Sequence, residues 1–195
     1  MQDPWESKGK KIHTRKIEIA TYAYDGQRIL VEGLLRDDRF QDSYLLSCEK
    51  LPRGVVHHMT IRLLVNCANL MIEDVDVQMD TVPGGDACRE TLDSLAPLKG
   101  LTITRGFMVK VKKLVGGVKG CTHLVELIQT MAPAVIQGLG TYQALKPAPF
   151  NPERAKKFVQ YLINTCHTWR DGGPFVEKFT TKIHEEQAAK TGKSG

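Results

Sequence analysis

The feature that most constrains this chain is the alternation in RKIEIATYAYDGQRILVEGLLR, residues 15–36. In an extended chain, Ile17, Ile19 and Thr21 fall on one side and Glu18, Ala20 and Tyr22 on the other. A period of two is the signature of a strand with one buried face; a helix would scatter these residues around its axis. Asp25-Gly26 interrupts the alternation, and this dipeptide suits the positive φ of a tight hairpin turn. The pattern resumes through Ile29, Val31 and Gly33. Two antiparallel strands are therefore expected at the start of the fold.

A second hairpin follows the same logic. In HHMTIRLLV, residues 57–65, Met59, Ile61, Leu63 and Val65 share one face, while His58, Thr60 and Arg62 share the other. His57 has the parity of Met59 and so belongs to the apolar face. Asn66 to Asn69 supplies a turn. Val75, Val77 and Met79 then alternate with Asp74, Asp76, Gln78 and Asp80, as on a sheet with one wet side. The intervening residues 36–53 are polar and mixed, and read as a long connection.

The second half reads as helices. Cys88, Leu92 and Leu95 suit a short helix ending near Pro97 and Gly100, whereas residues 101–115 fit a strand, a bend at Gly106 and a second piece of either type. Leu124, Leu127, Ile128, Met131 and Val135 recur at helical spacing from about Thr122, with Pro133 set to kink or divide the helix. A further helix is expected from Asn151, a capping residue, and Pro152, suited to the first helical position. Its stripe runs through Ala155, Phe158, Val159, Leu162, Ile163, Cys166 and Trp169 to Gly172 and Gly173. Strands first and helices second indicate an α+β fold, with antiparallel hairpins in the N-terminal half packed against C-terminal helices. The expected organisation is a basic, flexible stretch over 1–11, a single domain over 12–178 and a polar, partly disordered tail over 179–195, with His184 exposed.

Composition sets the class. The chain has 195 residues, 42% of them hydrophobic and 25% charged, which is enough for a folded core. No apolar run is long enough to span a bilayer and the N-terminus lacks a signal-peptide pattern, so a cytoplasmic protein is expected. Five widely spaced cysteines without a C-x-x-C pair argue against a disulfide framework or a zinc ribbon. The net charge of +5 sits largely near the termini, and the internal run KVKKLVGGVK has no aromatic residues for base stacking. Nucleic acid and membrane are therefore not expected partners.

Chemistry concentrates at GGVKGCTHLVELI, residues 116–128, where a glycine loop meets a helix start. The free N–H groups and dipole of a helix N-terminus favour a thiolate at Cys121, with Lys119 close in sequence. Gly120 and Thr122 would let a substrate approach the backbone, and such a junction can hold an anion. The plain alternative is a buried thiol under a tight turn. His123 precedes Glu126 by three residues and can share its face, as a base oriented by the carboxylate or as a metal-binding pair. It could equally be a capping or core histidine. His57 is the second imidazole expected in a pocket. Arg15 and Arg62 are candidate holders of a substrate carboxylate. Cys88, Cys121, His123 and Glu126 form an alternative metal set. His167 could line a cavity at a helix end. The chain contains no nucleophile elbow, H-E-x-x-H, Walker loop or dinucleotide fingerprint.

The chain also resembles a known family. The pieces are HTR at 13–15, YDGQRILVEGLL at 24–35, HHMTIRL at 57–63, Cys88, LKGLTI at 98–103, GGVKGCTHLVEL at 116–127 and CHTWRDGGP at 166–174. In order and spacing they resemble the bacterial family of domains of unknown function numbered 2889, over residues 11–176. Members usually carry His-Asp-Met where this chain has His57-His58-Met59, and Asp where it has Asn66. The resemblance implies no activity.

Three functional classes remain. The leading one is a small-molecule enzyme without an organic cofactor, of lyase, isomerase or decarboxylase type, acting on an anionic or aromatic compound. Cys121, His123 and His57 would be its catalytic residues, and Arg15, Arg62, Gly120 and Thr122 would bind substrate. The second is a zinc or iron protein using the Cys, His and Glu set. The third is a non-catalytic binding or interaction domain, for which a homodimer would be natural.

Overall fold

Four long strands form one antiparallel sheet: β1 (His13–Ala23), β2 (Arg28–Arg39), β5 (Gly54–Asn66) and β6 (Ile72–Thr81), in the order β1-β2-β5-β6. The molecule is described by a computed structural model covering residue 3 and residues 5–191. Residues 1, 2, 4 and 192–195, parts of the two expected tails, lie outside the described residues. Gly26 takes φ 84° in the β1–β2 turn, a left-handed value that glycine adopts without strain. The Asp25 carboxylate accepts from the N–H groups of Gln27 and Arg28, closing that turn. Both expected hairpins are present, and the architecture is α+β.

Register carries the alternation across all four strands. Ile17, Leu35, Met59 and Met79 form one rung, and Ile19, Gly33, Ile61 and Val77 the next. Ile29, Val31, Leu35, Met59, Ile61, Leu63 and Val65 on this face are all but inaccessible to water. Burying each contributes about 1.5–3 kcal/mol, so a one-residue slip would be costly.

The long connection expected over residues 36–53 is shorter than the sequence suggests. β2 continues through Asp37 and Asp38 to Arg39, because β1 and β5 flank it on both sides and pair with its backbone. Within the remainder, β3 (Ser43–Tyr44) and β4 (Lys50–Leu51) form a small separate hairpin.

The helices after β6 begin with α1 (Asp86–Arg89) and a 3-10 segment, Leu92–Leu98, that buries Leu95 and Leu98. Thr102 makes an isolated bridge to Met71, and α2 (Phe107–Val115) follows the bend at Gly106. The undecided second piece of residues 101–115 is thus helical, with Phe107, Val111 and Val115 buried at four-residue spacing.

The longest helix, α3 (Thr122–Gln143), lies against the apolar sheet face. Leu124, Leu127, Ile128, Met131 and Val135 are fully buried. Pro133 is on the exposed side and does not divide the helix; the backbone acceptor it leaves can be met by water. Two glycines let helix and sheet approach closely. A Cβ on Gly33 would come 2.6 Å from Met131 Sδ, and one on Gly138 would come 2.7 Å from Thr21 Cβ.

The chain divides into two compact units, the second beginning at Ala144, where the sequence reading takes residues 12–178 together. The division falls in the stretch carrying Pro147 and Pro149. In the second unit, α4 (Pro152–Leu162) starts as expected: the Asn151 side chain accepts from the Arg154 N–H at 3.0 Å, and Pro152 follows it. The helix stops ten residues before Gly172. Asn164 turns left-handed at φ 61°, its N–H donates to Trp169 O at 2.8 Å, and its side-chain oxygen accepts from the Asp171 N–H at 2.9 Å. This loop replaces the helical turns expected around Cys166, which is exposed. Trp169 still joins the aromatic cluster, edge-on to Phe158 and stacked with Phe175 and Phe179. The last helix, α5 (Pro174–Thr191), covers most of the expected tail, with Val176 and Ile183 buried and His184 exposed. Among the described residues, no helix is long and apolar enough to cross a membrane.

Candidate functional site

At one end of the sheet the apolar rungs give way to a polar one. Arg15 on β1 faces Asp37 on β2, and Asp37 faces His57 on β5. All three have the parity of the buried face, so the sheet brings a guanidinium, a carboxylate and an imidazole side by side. Just beyond this rung the register shifts: Asp37 pairs with His57 but Asp38 with Val55, leaving Val56 as an extra residue. Such a bulge bends a strand and re-aims neighbouring side chains, a device common beside functional sites.

The contacts along the rung are direct. Arg15 donates from Nε to Asp37 Oδ1 at 2.8 Å and from a terminal nitrogen to Oδ2 at 2.6 Å, a two-point grip. His57 Nδ1 lies 2.8 Å from Asp37 Oδ2, and His13 Nε2 lies 3.5 Å from Oδ1. The Asp37 side chain is 2% exposed and that of His57 11%. The Arg15 guanidinium, and behind it the His57 imidazole, holds the Asp37 carboxyl below its usual range despite burial. Asp37 therefore remains a carboxylate, and it fixes the orientation of the His57 ring.

The start of α3 covers this rung. The Cys121 carbonyl accepts from the Val125 N–H at 3.1 Å, which places Cys121 at the helix N-cap. Gly120 ahead of it is needed for space, because a Cβ there would meet Val115 O at 2.7 Å and Ser94 Oγ at 3.1 Å. The His123 ring lies 3.9 Å from the His57 ring, centroid to centroid, tilted by 37°. Cys121 Sγ lies 3.8 Å from His123 Nδ1, within hydrogen-bond range for sulfur. Burial, then the neighbouring His57 and Arg15, lower the His123 pKa below the ordinary imidazole value, so its neutral form is favoured. Glu126, one turn further on, reaches back to accept from the remaining arm of Arg15, tying helix to sheet.

The structure thus brings Cys121, His123 and His57 together, with Arg15 and Glu126 beside them and Gly120 and Thr122 at the adjoining turn. Other candidates lie apart. Arg62 is on the opposite face, paired with Glu32 at 2.7 Å and Asp76 at 2.9 Å. Those two acids occupy it, on the outer face it reaches by strand parity. Arg15 is likewise engaged, by Asp37 and Glu126. Glu126 turns to Arg15 rather than orienting His123. Cys88 packs over Gly84, where an added Cβ would lie 2.7 Å from its sulfur. His58 pairs with Asp80 at 3.2 Å on the outer face, and His167 is exposed beside Arg170. Asp37, the centre of the site, lies in the polar segment 36–53 that reads in sequence as a connection. Its signal is parity: Val31, Gly33 and Leu35 lead to position 37 on the core face.

Among the described residues, one group has ligand atoms close enough to hold a metal ion: Asp37, His57 and His123, all within 4.8 Å of one another. The alternative set of Cys88, Cys121, His123 and Glu126 does not converge in this way.

No curated protein and no solved structure matches the chain. Residues 13–137, which carry every side chain of the cluster, match the family described as "Protein of unknown function (DUF2889)". That match spans well over half of the sequence, and the chain belongs to the DUF2889 family.

Proposed function

We propose that the cluster at the start of α3 is the reaction site of a small-molecule enzyme that works by proton transfer without an organic cofactor. The observation that carries this reading is the pairing of His57 with buried Asp37 at 2.8 Å, and its ring contact with His123 at 3.9 Å. A carboxylate on one imidazole nitrogen sets the tautomer and leaves the other nitrogen to exchange a proton. Two imidazoles in contact disfavour a double positive charge, so the pair suits one acting as base while the other acts as acid. Cys121 beside His123 is a nucleophile or a further donor. Reactions of lyase, isomerase or decarboxylase type match this equipment.

Of the four candidate substrate-binding residues, this reading keeps Gly120 and Thr122. Arg15 is held by two carboxylates and Arg62 belongs to the other face, so neither is free to grip an anion. The first N–H groups of α3, with Gly120 and Thr122, take that role; the initial N–H groups of any helix lack partners within it.

The test is a thermal-shift screen of small carboxylic and aromatic acids, followed by product analysis of the hits by NMR. A true substrate is turned over by the wild type. The His57→Ala and His123→Ala variants should still bind it but turn it over at least about 100-fold more slowly, as expected for loss of a general acid or base. Turnover that persists in both variants would sink the proposal.

A further inference from the structure

The geometry points to a second property of the same cluster: Asp37, His57 and His123 form a binding site for one divalent transition-metal ion of the zinc class. Two imidazoles and one carboxylate are a recurrent donor set for such ions, and three protein ligands leave coordination positions open. In this fold the three donors come from three different elements, β2, β5 and α3, yet their ligand atoms lie within 4.8 Å of one another. Two of them, Asp37 Oδ2 and His57 Nδ1, are 2.8 Å apart. Ligand bonds of about 2.0–2.2 Å at the tetrahedral angle place neighbouring donors roughly 3.4 Å apart, so this edge would have to open by only about 0.6 Å to admit an ion. The ion would replace the direct contact between Asp37 and His57.

The surroundings suit a cation of limited affinity. Arg15 approaches the same carboxylate and opposes an added positive charge, while Glu126 compensates on its far side. The sum over Arg15, Asp37 and Glu126 is one net negative charge. Arg15 Nε stays on Asp37 Oδ1 and orients the carboxylate, as outer hydrogen bonds do at metal centres. This inference goes beyond proton transfer by the imidazoles. In any one molecule the two uses compete, because an ion on His57 and His123 would occupy the imidazoles that exchange protons in the other reading.

Isothermal titration of the full, untagged chain with Zn2+, without any substrate, tests it, alongside the visible spectrum of the Co2+-loaded protein. The wild type should bind one equivalent. His123→Ala, a change at a half-buried helix position, should weaken that binding at least tenfold, and so should His57→Ala. His13, His58, His167 and His184 remain in the His57→Ala/His123→Ala double variant, which reports their adventitious uptake. The site is overturned if the wild type takes up no more zinc than this double variant, or if its Co2+ spectrum is that of the free aqueous ion. Because binding is read without turnover, failure here leaves the proton-transfer reading standing, and failure of that reading leaves this one.

Discussion

Arg15 and Asp37 stand opposite each other on adjacent strands, and the guanidinium holds both carboxylate oxygens, at 2.8 and 2.6 Å. The carboxylate is buried and the guanidinium partly exposed, its side chain retaining 30% of its accessible surface. Removing the acid strands a charge and frees the His57 ring. Asp37→Asn should therefore cost roughly 2–4 kcal/mol of stability, somewhat below the loss for breaking a fully buried ion pair because solvent reaches Arg15. In a urea-denaturation double-mutant cycle with Arg15→Met, the double variant should lose less than the sum of the two single losses.

Glu126 offers a contrast, because it binds the same arginine from the solvent side with 45% of its side chain exposed. Glu126→Gln should cost less than about 1 kcal/mol, as exposed ion pairs do. The informative readout is the ring contact: NMR cross-peaks between His57 and His123 should weaken once helix and strand lose this tie. Unchanged cross-peaks would show that packing alone positions the helix start.

The lowered pKa of His123 has a definite consequence for stability against pH. The unfolded chain binds the proton near the ordinary imidazole value of about 6.5, and the folded chain binds it only below that. Within that window the unfolded state holds more protons, so stability rises with pH and levels off above about 6.5. Asp37 acts in the same direction at lower pH, its contribution being complete above the usual carboxylate range and lost as pH falls through its depressed value. Denaturation midpoints across roughly pH 2–8, which brackets the reference values of about 4 and 6.5, should show the His123 segment of the slope vanish in His123→Asn and the Asp37 segment remain.

Gly138→Ala separates packing from helix propensity. On an exposed helix this change stabilises by about 1 kcal/mol. Here the new methyl would lie 2.7 Å from Thr21 Cβ on β1, a rigid branched neighbour. A net loss of about 1–3 kcal/mol is expected, the usual effect of overpacking. A more stable variant would mean that α3 does not approach the sheet so closely.

Much of the scaffold is legible in the sequence because strand parity is a strong signal. Met59, Ile61, Leu63 and Val65 mark the buried face, and His57 follows from them. Asp37 escapes because Arg36, Asp37, Asp38 and Arg39 look like a solvated turn; only pairing with strands on both sides makes them a strand. The end of α4 escapes for a similar reason: Cys166 and Trp169 keep helical spacing, while Asn164 closes a local loop that competes with the helix. The ties of Arg15 to Asp37 and Glu126 bridge 22 and 111 positions, and no local pattern announces them.

The close seats of α3 at Gly33 and Gly138 also make the helix a lever. His123 lies fifteen positions before Gly138, about 22 Å along the axis. A rotation of only about 3° around the Gly138 seat would carry the His123 ring roughly 1 Å, enough to part it from His57. How α3 is seated at Gly138 thus bears on the spacing of the two imidazoles, and a shifted His57–His123 ring contact in Gly138→Ala would report it.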